Sequence, residues 1–134
     1  MKFRFSAAVL AACLPVALGA VVVSASAIAE TTLKDGVYTQ AQADKGKTSY
    51  EANCKSCHAP EFYREQLRNW NQVPLIEFYD LVSATMPGDR PGALELQDYT
   101  DAMAHIFSLL GYPAGDKVLN QDDGSMEKIL IVVD

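Results

Sequence analysis

The sequence has few cysteines and few histidines, with three of the first and two of the second in 134 residues. Cys13 lies in an apolar N-terminal segment, so only Cys54 and Cys57 remain for the rest of the chain. A disulfide between cysteines three positions apart would close a very small loop and stabilise almost nothing. A disulfide-stabilised fold is therefore excluded, and the pair needs another explanation.

Long apolar runs are also scarce, because the one clear run stands at the N-terminus. Two basic residues precede it, residues 7–23 are apolar, and residues 27–29 have the A-x-A pattern. This order of a basic, an apolar and a small-residue region is typical of a cleaved signal peptide. We therefore expect residues 1–29 to be removed on export, leaving residues 30–134 as one periplasmic domain.

Two other fates of this segment stay open. Seventeen apolar positions are near the lower limit for a membrane span, although Pro15 and Gly19 weaken it. Alternatively, residues 10–13 resemble a bacterial lipoprotein box, in which Cys13 would carry the lipid. Either fate would anchor the protein to the membrane, facing the periplasm.

Positive charge is scarce in the remaining domain. Once Lys2 and Arg4 are removed, nine basic residues stand against seventeen acidic ones, a net charge of −8. Such a domain repels nucleic acid and anionic lipid. The sequence therefore excludes a nucleic-acid partner, and it favours membrane contact only if the N-terminal segment is retained or lipidated.

Helix signals dominate the domain. A capping-box pattern of Thr39 and Gln42 predicts a helix from Gln40 to about Asn53, with Gly46 marking a close approach of another backbone. Apolar periodicity predicts a second helix over residues 74–84 and a third over residues 93–111, the latter with Gly111 as its C′ residue.

The connecting segments are long for so small a domain. Residues 59–73 predict a loop with a short helical piece, and the chain ends in a polar tail from about residue 114, with a β-prone run over residues 129–133. A large apolar ligand in the middle would account for such loops. The sequence thus predicts an all-α domain of three main helices wrapped around one ligand.

The stretch NCKSCHAP, residues 53–60, indicates what that ligand is. C-x-x-C-H is the attachment motif of c-type haem. Cys54 and Cys57 would each form a thioether with one haem vinyl group, and the adjacent His58 would be directed at the iron. Attachment takes place outside the reducing cytosol, so the motif and the export signal support each other.

Two other chemistries were weighed for these residues. A thioredoxin-like redox pair needs a βαβ context, and the sequence has no such pattern. A zinc site would recruit Cys54, Cys57, His58 and His105, but a histidine directly after the second cysteine does not have the usual zinc spacing.

The sequence resembles the class I c-type cytochromes that carry one haem. The resemblance covers about residues 38–113 and rests on GKTSYEANCKSCH (residues 46–58), on TMPGD (residues 85–89) and on the closing amphipathic helix. It departs from the family at Ala59, where many relatives have glycine. It also has a tail after Pro113 that the resemblance does not cover.

The resemblance implies that Met86 is the sixth iron ligand. Its position in a loop rich in proline and glycine agrees with this role, whereas Met103 on a helical apolar face is more simply core and Met126 lies in the polar tail. We interpret His105 as a helix-packing residue. Trp70 is either a donor to a haem propionate or core.

A histidine–methionine pair saturates the iron, which favours electron transfer and argues against an enzyme. We therefore expect a periplasmic electron carrier, reduced by a dehydrogenase and oxidised by an oxidase or reductase. The alternatives are a haem-based ligand sensor or weak peroxidase, in which Met86 dissociates, and an electron-entry subunit of a dehydrogenase complex.

Overall fold

The computed structural model describes residues 30–133 and is mostly helical. The predicted signal peptide, with Cys13, lies outside the described residues. The regular structure of these residues consists of four α-helices, two short 3₁₀-helices and one strand pair: α1 Gln40–Asn53, α2 Pro60–Asn69, α3 Leu75–Thr85, α4 Leu96–Leu109, 3₁₀-helices Leu33–Asp35 and Met126–Lys128, β1 Thr31–Thr32 and β2 Ile129–Leu130. The two strands are parallel, with Thr31 opposite Ile129.

The count of three main helices was wrong, because residues 60–69 form a regular ten-residue helix. Pro60 stands in its first turn, where proline costs no hydrogen bond. Only Tyr63 and Leu67 of α2 are buried, so its apolar stripe is too narrow to show a clear period in the sequence.

Helix α1 begins at Gln40, as predicted. The Thr39 hydroxyl accepts a hydrogen bond from the Gln42 backbone N–H at 3.2 Å, which is one half of the expected capping box. The Gln42 side chain does not complete it. It is buried instead, with Nε2 donating to the Leu119 carbonyl and Oε1 accepting from the Leu119 N–H, each at 2.8 Å.

Helix α4 ends in the αL turn that its sequence predicted. Gly111 has a φ of 87°. Its N–H bonds the Ser108 carbonyl, and the Tyr112 N–H bonds the Phe107 carbonyl, each at 3.1 Å. These two bonds form a Schellman motif, which satisfies the last carbonyls of the helix.

The crossing of α1 over α4 is the closest helix contact of the fold. A Cβ placed on Gly46 would lie 1.8 Å from the Asp101 carbonyl oxygen, so only glycine permits this approach. The predicted close approach at Gly46 is thereby confirmed. One turn on, Tyr50 packs against His105 of α4 with ring centroids 5.2 Å apart.

A buried carboxylate lies beside this crossing. Asp101 Oδ1 accepts from the side-chain amides of Gln97 at 2.6 Å and Gln42 at 3.1 Å. The Lys45 ammonium lies 2.6 Å from Asp101 Oδ2, and its hydrogen bond to that carboxylate raises the pKa of Lys45. The charge of Asp101 is therefore paired, as a buried carboxylate requires.

The C-terminal segment is part of the core, which corrects its interpretation as a polar tail. Leu119, Met126, Ile129 and Ile131 are all buried. The Ile131 backbone exchanges hydrogen bonds with the connection between α2 and α3, donating to the Val73 carbonyl and accepting from the Gln72 N–H. The buried apolar side chains of residues 119–131 thus cover the helices from irregular chain, one 3₁₀ turn at Met126–Lys128 and strand β2.

Replacing Gly46 with alanine should destabilise the fold by about 2 kcal/mol or more. The added methyl group would overlap the Asp101 carbonyl, and such overpacking outweighs the gain of about 1 kcal/mol in helix propensity. Urea unfolding measures the difference. Thr48→Ala, at an exposed position of the same helix, is the control and should change stability by less than about 0.5 kcal/mol.

Candidate functional site

The two motif cysteines and His58 lie on one tight turn at the C-terminal end of α1. The Tyr50 carbonyl accepts from the backbone N–H groups of Cys54 at 2.9 Å and Lys55 at 3.0 Å. The Cys54 carbonyl in turn accepts from Cys57 at 3.2 Å and from His58 at 3.0 Å. These four bonds hold the motif residues in a fixed relation to the helix.

Tyr50 also supports the end of the motif. Its hydroxyl donates to the His58 carbonyl at 3.3 Å, and its ring packs against Tyr63 with centroids 6.2 Å apart. Tyr50 is buried, so this contact is shielded from water. The backbone of His58 is thereby anchored to α1 and α2 together.

The His58 ring lies among aromatic side chains. It stacks on Phe62 with centroids 4.2 Å apart and meets the edge of Tyr63 at 5.7 Å. Ligating histidines commonly donate one ring nitrogen to a backbone carbonyl. The structure shows ring contacts instead, and within residues 30–133 the imidazole makes no hydrogen bond.

Met86 caps the C-terminal end of α3, where the chain leaves the helix for a loop. Its N–H donates to the Val82 carbonyl at 2.9 Å. Its carbonyl accepts from the Tyr99 hydroxyl at 2.6 Å and from the Gly92 N–H at 3.2 Å. The peptide bond from Met86 to Pro87 is cis. The methionine backbone is thus tied to both α3 and α4.

One cavity of about 560 Å³ brings the motif turn and Met86 together. Its volume is in the range of about 300–1,000 Å³ that is usual for small-molecule and cofactor sites. The four residues singled out in the sequence, Cys54, Cys57, His58 and Met86, all line it. Apolar side chains from all four helices form most of the remaining wall, among them Phe62, Leu67, Phe78, Leu81, Val82, Met103, Ile106 and Phe107.

The sequence did not predict the part that α2 and α3 play in this wall. Phe62 and Leu81 line the cavity although they are 38% and 47% exposed. A large apolar side chain at an exposed helix position is the signal that could have identified each of them. Their exposure shows that the cavity opens to the surface at this edge.

Two further residues discussed in the sequence also line the cavity. Met103 is buried on α4, which agrees with a core position but also places it in the cavity wall. Trp70 is half-buried and packs edge-on against Phe78 with centroids 5.5 Å apart. The cavity wall therefore contains two methionines, and the loop position distinguishes Met86 from Met103.

The second histidine of the chain belongs to the helix interface, as predicted. His105 Nδ1 donates to the Ala43 carbonyl at 3.1 Å across the α1–α4 contact. Burial lowers the pKa of His105 and so favours its neutral form. No group of three or more His, Cys, Asp or Glu side chains within residues 30–133 is arranged to hold a metal ion.

The two cysteines differ in their surroundings. Cys54 is half-buried and Cys57 is exposed, and both are free thiols. Burial raises the pKa of the Cys54 thiol, and the hydrogen bond from Tyr63 opposes this only in part. Burial likewise raises the pKa of Tyr63, so its hydroxyl stays protonated beside Cys54.

The donor set and the walls fit a haem. A thioether sulfur and an imidazole nitrogen are established haem-iron ligands, and thiols in a C-x-x-C-H turn are its covalent attachment points. The largely apolar lining suits a porphyrin, and the open edge would leave room for its polar groups. Cys54, Cys57, His58 and Met86 are the residues that would hold it.

Comparisons with known proteins identify no relative: no family model, no curated protein and no solved structure matches this chain. None of the helices described for residues 30–133 has both the length and the hydropathy needed to cross a bilayer. The site must therefore be interpreted from its own residues.

Proposed function

We propose that this chain is a c-type cytochrome that carries one electron on a single, covalently attached haem. The observation that carries this proposal is the cavity in which the C-x-x-C-H turn and Met86 meet. The two elements lie about thirty residues apart in the sequence, and each alone is only a motif. Their convergence on one largely apolar cavity is what electron transfer by a haem protein requires.

In this proposal each site residue has one role. Cys54 and Cys57 attach the haem as thioethers, and His58 and Met86 are the axial ligands. The haem supplies an iron that changes between the ferrous and ferric states. A methionine–histidine pair raises the reduction potential relative to two nitrogen ligands and leaves no open coordination position.

The hydrogen bonds that hold the Met86 backbone favour an electron carrier over a ligand sensor or a peroxidase. Those functions need Met86 to leave the iron. Its carbonyl accepts two hydrogen bonds, one of them from the buried Tyr99, and its N–H bonds α3. Such a support favours a ligand that stays in place during electron transfer.

The rim of the cavity suggests how redox partners dock. Phe62 and Leu81 form a small apolar edge. The cations beside it are paired, with Lys55 lying 3.6 Å from Glu51 and Arg90 lying 3.9 Å from Asp89. We therefore propose apolar contact with basic or weakly charged partners, a dehydrogenase as donor and an oxidase or reductase as acceptor, in the periplasm.

The double change Cys54→Ala and Cys57→Ala should abolish covalent haem and, with it, most of the folded structure. The cavity occupies the middle of the helices, and its largely apolar wall needs an occupant to be stable. The test is colour that stays with the protein after acid–acetone extraction, which removes haem that is not covalently bound.

Ser56→Ala is the matched control, since Ser56 is exposed and lies between the two cysteines. This variant should retain covalent haem at the wild-type level. Protein-bound colour in the double variant, or its absence in the wild-type protein, would overturn the proposed attachment.

Met86→Ala should open the iron to carbon monoxide and lower the reduction potential. Met103→Ala should keep both properties and only destabilise the fold, by about 2–5 kcal/mol, because its buried side chain is truncated. Optical spectra with and without carbon monoxide, together with a redox titration, distinguish the two. If Met86→Ala kept the sulfur-to-iron charge-transfer band of the oxidised protein and Met103→Ala lost it, the ligand assignment would be reversed.

A further inference from the structure

The loop that carries Met86 is attached to the helices at two separate places. On one side, the Tyr99 hydroxyl of α4 donates to the Met86 carbonyl at 2.6 Å. On the other side, Arg90 Nη2 donates to the side-chain oxygen of Asn53, the last residue of α1. Asn53 directly precedes Cys54, so the second attachment joins the methionine loop to the start of the motif turn.

The acceptor in this second attachment, the Asn53 side-chain oxygen, is held in position by another hydrogen bond of the same amide. The Asn53 amide nitrogen donates to the Ser49 carbonyl at 2.9 Å and lies 3.4 Å from the Ser49 hydroxyl. This arrangement leaves the Asn53 amide oxygen facing Arg90. An amide whose nitrogen is already bonded offers its oxygen at little further cost in side-chain entropy.

The donor is oriented by the loop itself. The Arg90 N–H donates to the Pro87 carbonyl at 2.9 Å, and the Arg90 carbonyl accepts from the Ala93 N–H at 3.2 Å. The Arg90 backbone, from which the side chain extends, is therefore held by turn hydrogen bonds at both its N–H and its carbonyl. Asn53 and Arg90 both line the cavity, so their contact closes part of its rim.

No other hydrogen bond described for residues 30–133 joins residues 86–94 to residues 53–58. The neighbouring Arg90–Asp89 ion pair connects the loop only to itself, and at 3.9 Å between exposed side chains it contributes little. The Arg90–Asn53 contact is thus the hydrogen bond that joins the methionine loop directly to the end of α1, next to the motif turn.

We propose that Arg90 and Asn53 are positioning residues that control how readily Met86 leaves the iron. The inference rests on the proposed function, because it concerns the ligand that the haem would have. With the contact intact, the loop is attached to both α4 and α1. Without it, the Tyr99 and Gly92 bonds to the Met86 carbonyl remain, and conformations with the loop displaced become more populated.

The test is carried out on the haem-loaded wild-type protein and its variants. The first readout is the rate at which the reduced protein binds carbon monoxide, which requires Met86 to leave. The second is the temperature at which the oxidised protein loses its sulfur-to-iron charge-transfer band. Asn53→Ala and Arg90→Ala should each raise the carbon monoxide rate by about fivefold, as loss of one partly exposed hydrogen bond implies, and should lower that temperature.

Three further variants make the result specific. Asn53→Asp loses the amide nitrogen that bonds Ser49 but offers Arg90 a charged acceptor, so it should stay within about twofold of wild type. Asp89→Asn removes only the exposed ion pair and should not change either readout. The double variant of Asn53 and Arg90 to alanine should be no faster than either single variant, because both changes remove the same bond.

Several outcomes would overturn the inference. Single alanine variants with wild-type rates would do so, as would a double variant whose effect is the product of the two single effects. A lower urea midpoint without any change in carbon monoxide binding would show a purely structural role. A wild-type protein without haem or without the charge-transfer band would overturn the proposed function itself, and this inference with it.

Discussion

The close crossing of α1 and α4 is the constraint on which the rest of the structure depends. Gly46 brings the α1 backbone against the Asp101 carbonyl, and one turn later Tyr50 packs on His105. The crossing therefore determines where α1 ends, and the motif turn is built on that end. The crossing also determines the position of the α4 face that carries Tyr99 and Met103, which lines the same cavity as the motif turn. A wider crossing would separate the two walls of the cavity.

The site is built largely from backbone hydrogen bonds and aromatic contacts, with few charges. Carbonyl groups of Tyr50 and Cys54 organise the motif turn, and the carbonyl of Met86 is bonded by Tyr99. Asp101, the one carboxylate that is buried within residues 30–133, lies outside the cavity wall and is paired with Lys45. A largely apolar cavity of this kind is consistent with the electron-transfer function that we propose.

The terminal segments stabilise the helices from outside the site. Leu33 and Tyr38 before α1, and Leu119 and Ile131 after α4, are buried, and none of them lines the cavity. The Gln42 side chain joins the two ends of the domain, because it lies on α1 and bonds the Leu119 backbone. These terminal segments therefore pack on protein, whereas the connections that follow α1 and α3 line the cavity. All the residues that line the cavity lie between positions 52 and 107.

The sequence by itself determined the helical class, the start of α1, the αL end of α4 and the residues of the motif, because caps, glycine turns and C-x-x-C-H are local patterns. It also predicted the close approach at Gly46, though not which backbone atom Gly46 meets. The resemblance implied a shared site for Met86 and the motif turn, but the cavity that they line and the contact of Arg90 with Asn53 are visible only in the tertiary structure. Tertiary structure also decided that α2 is a full helix and that residues 119–131 are core. These features depend on contacts between residues far apart in the chain, and such contacts leave no period or spacing in the sequence.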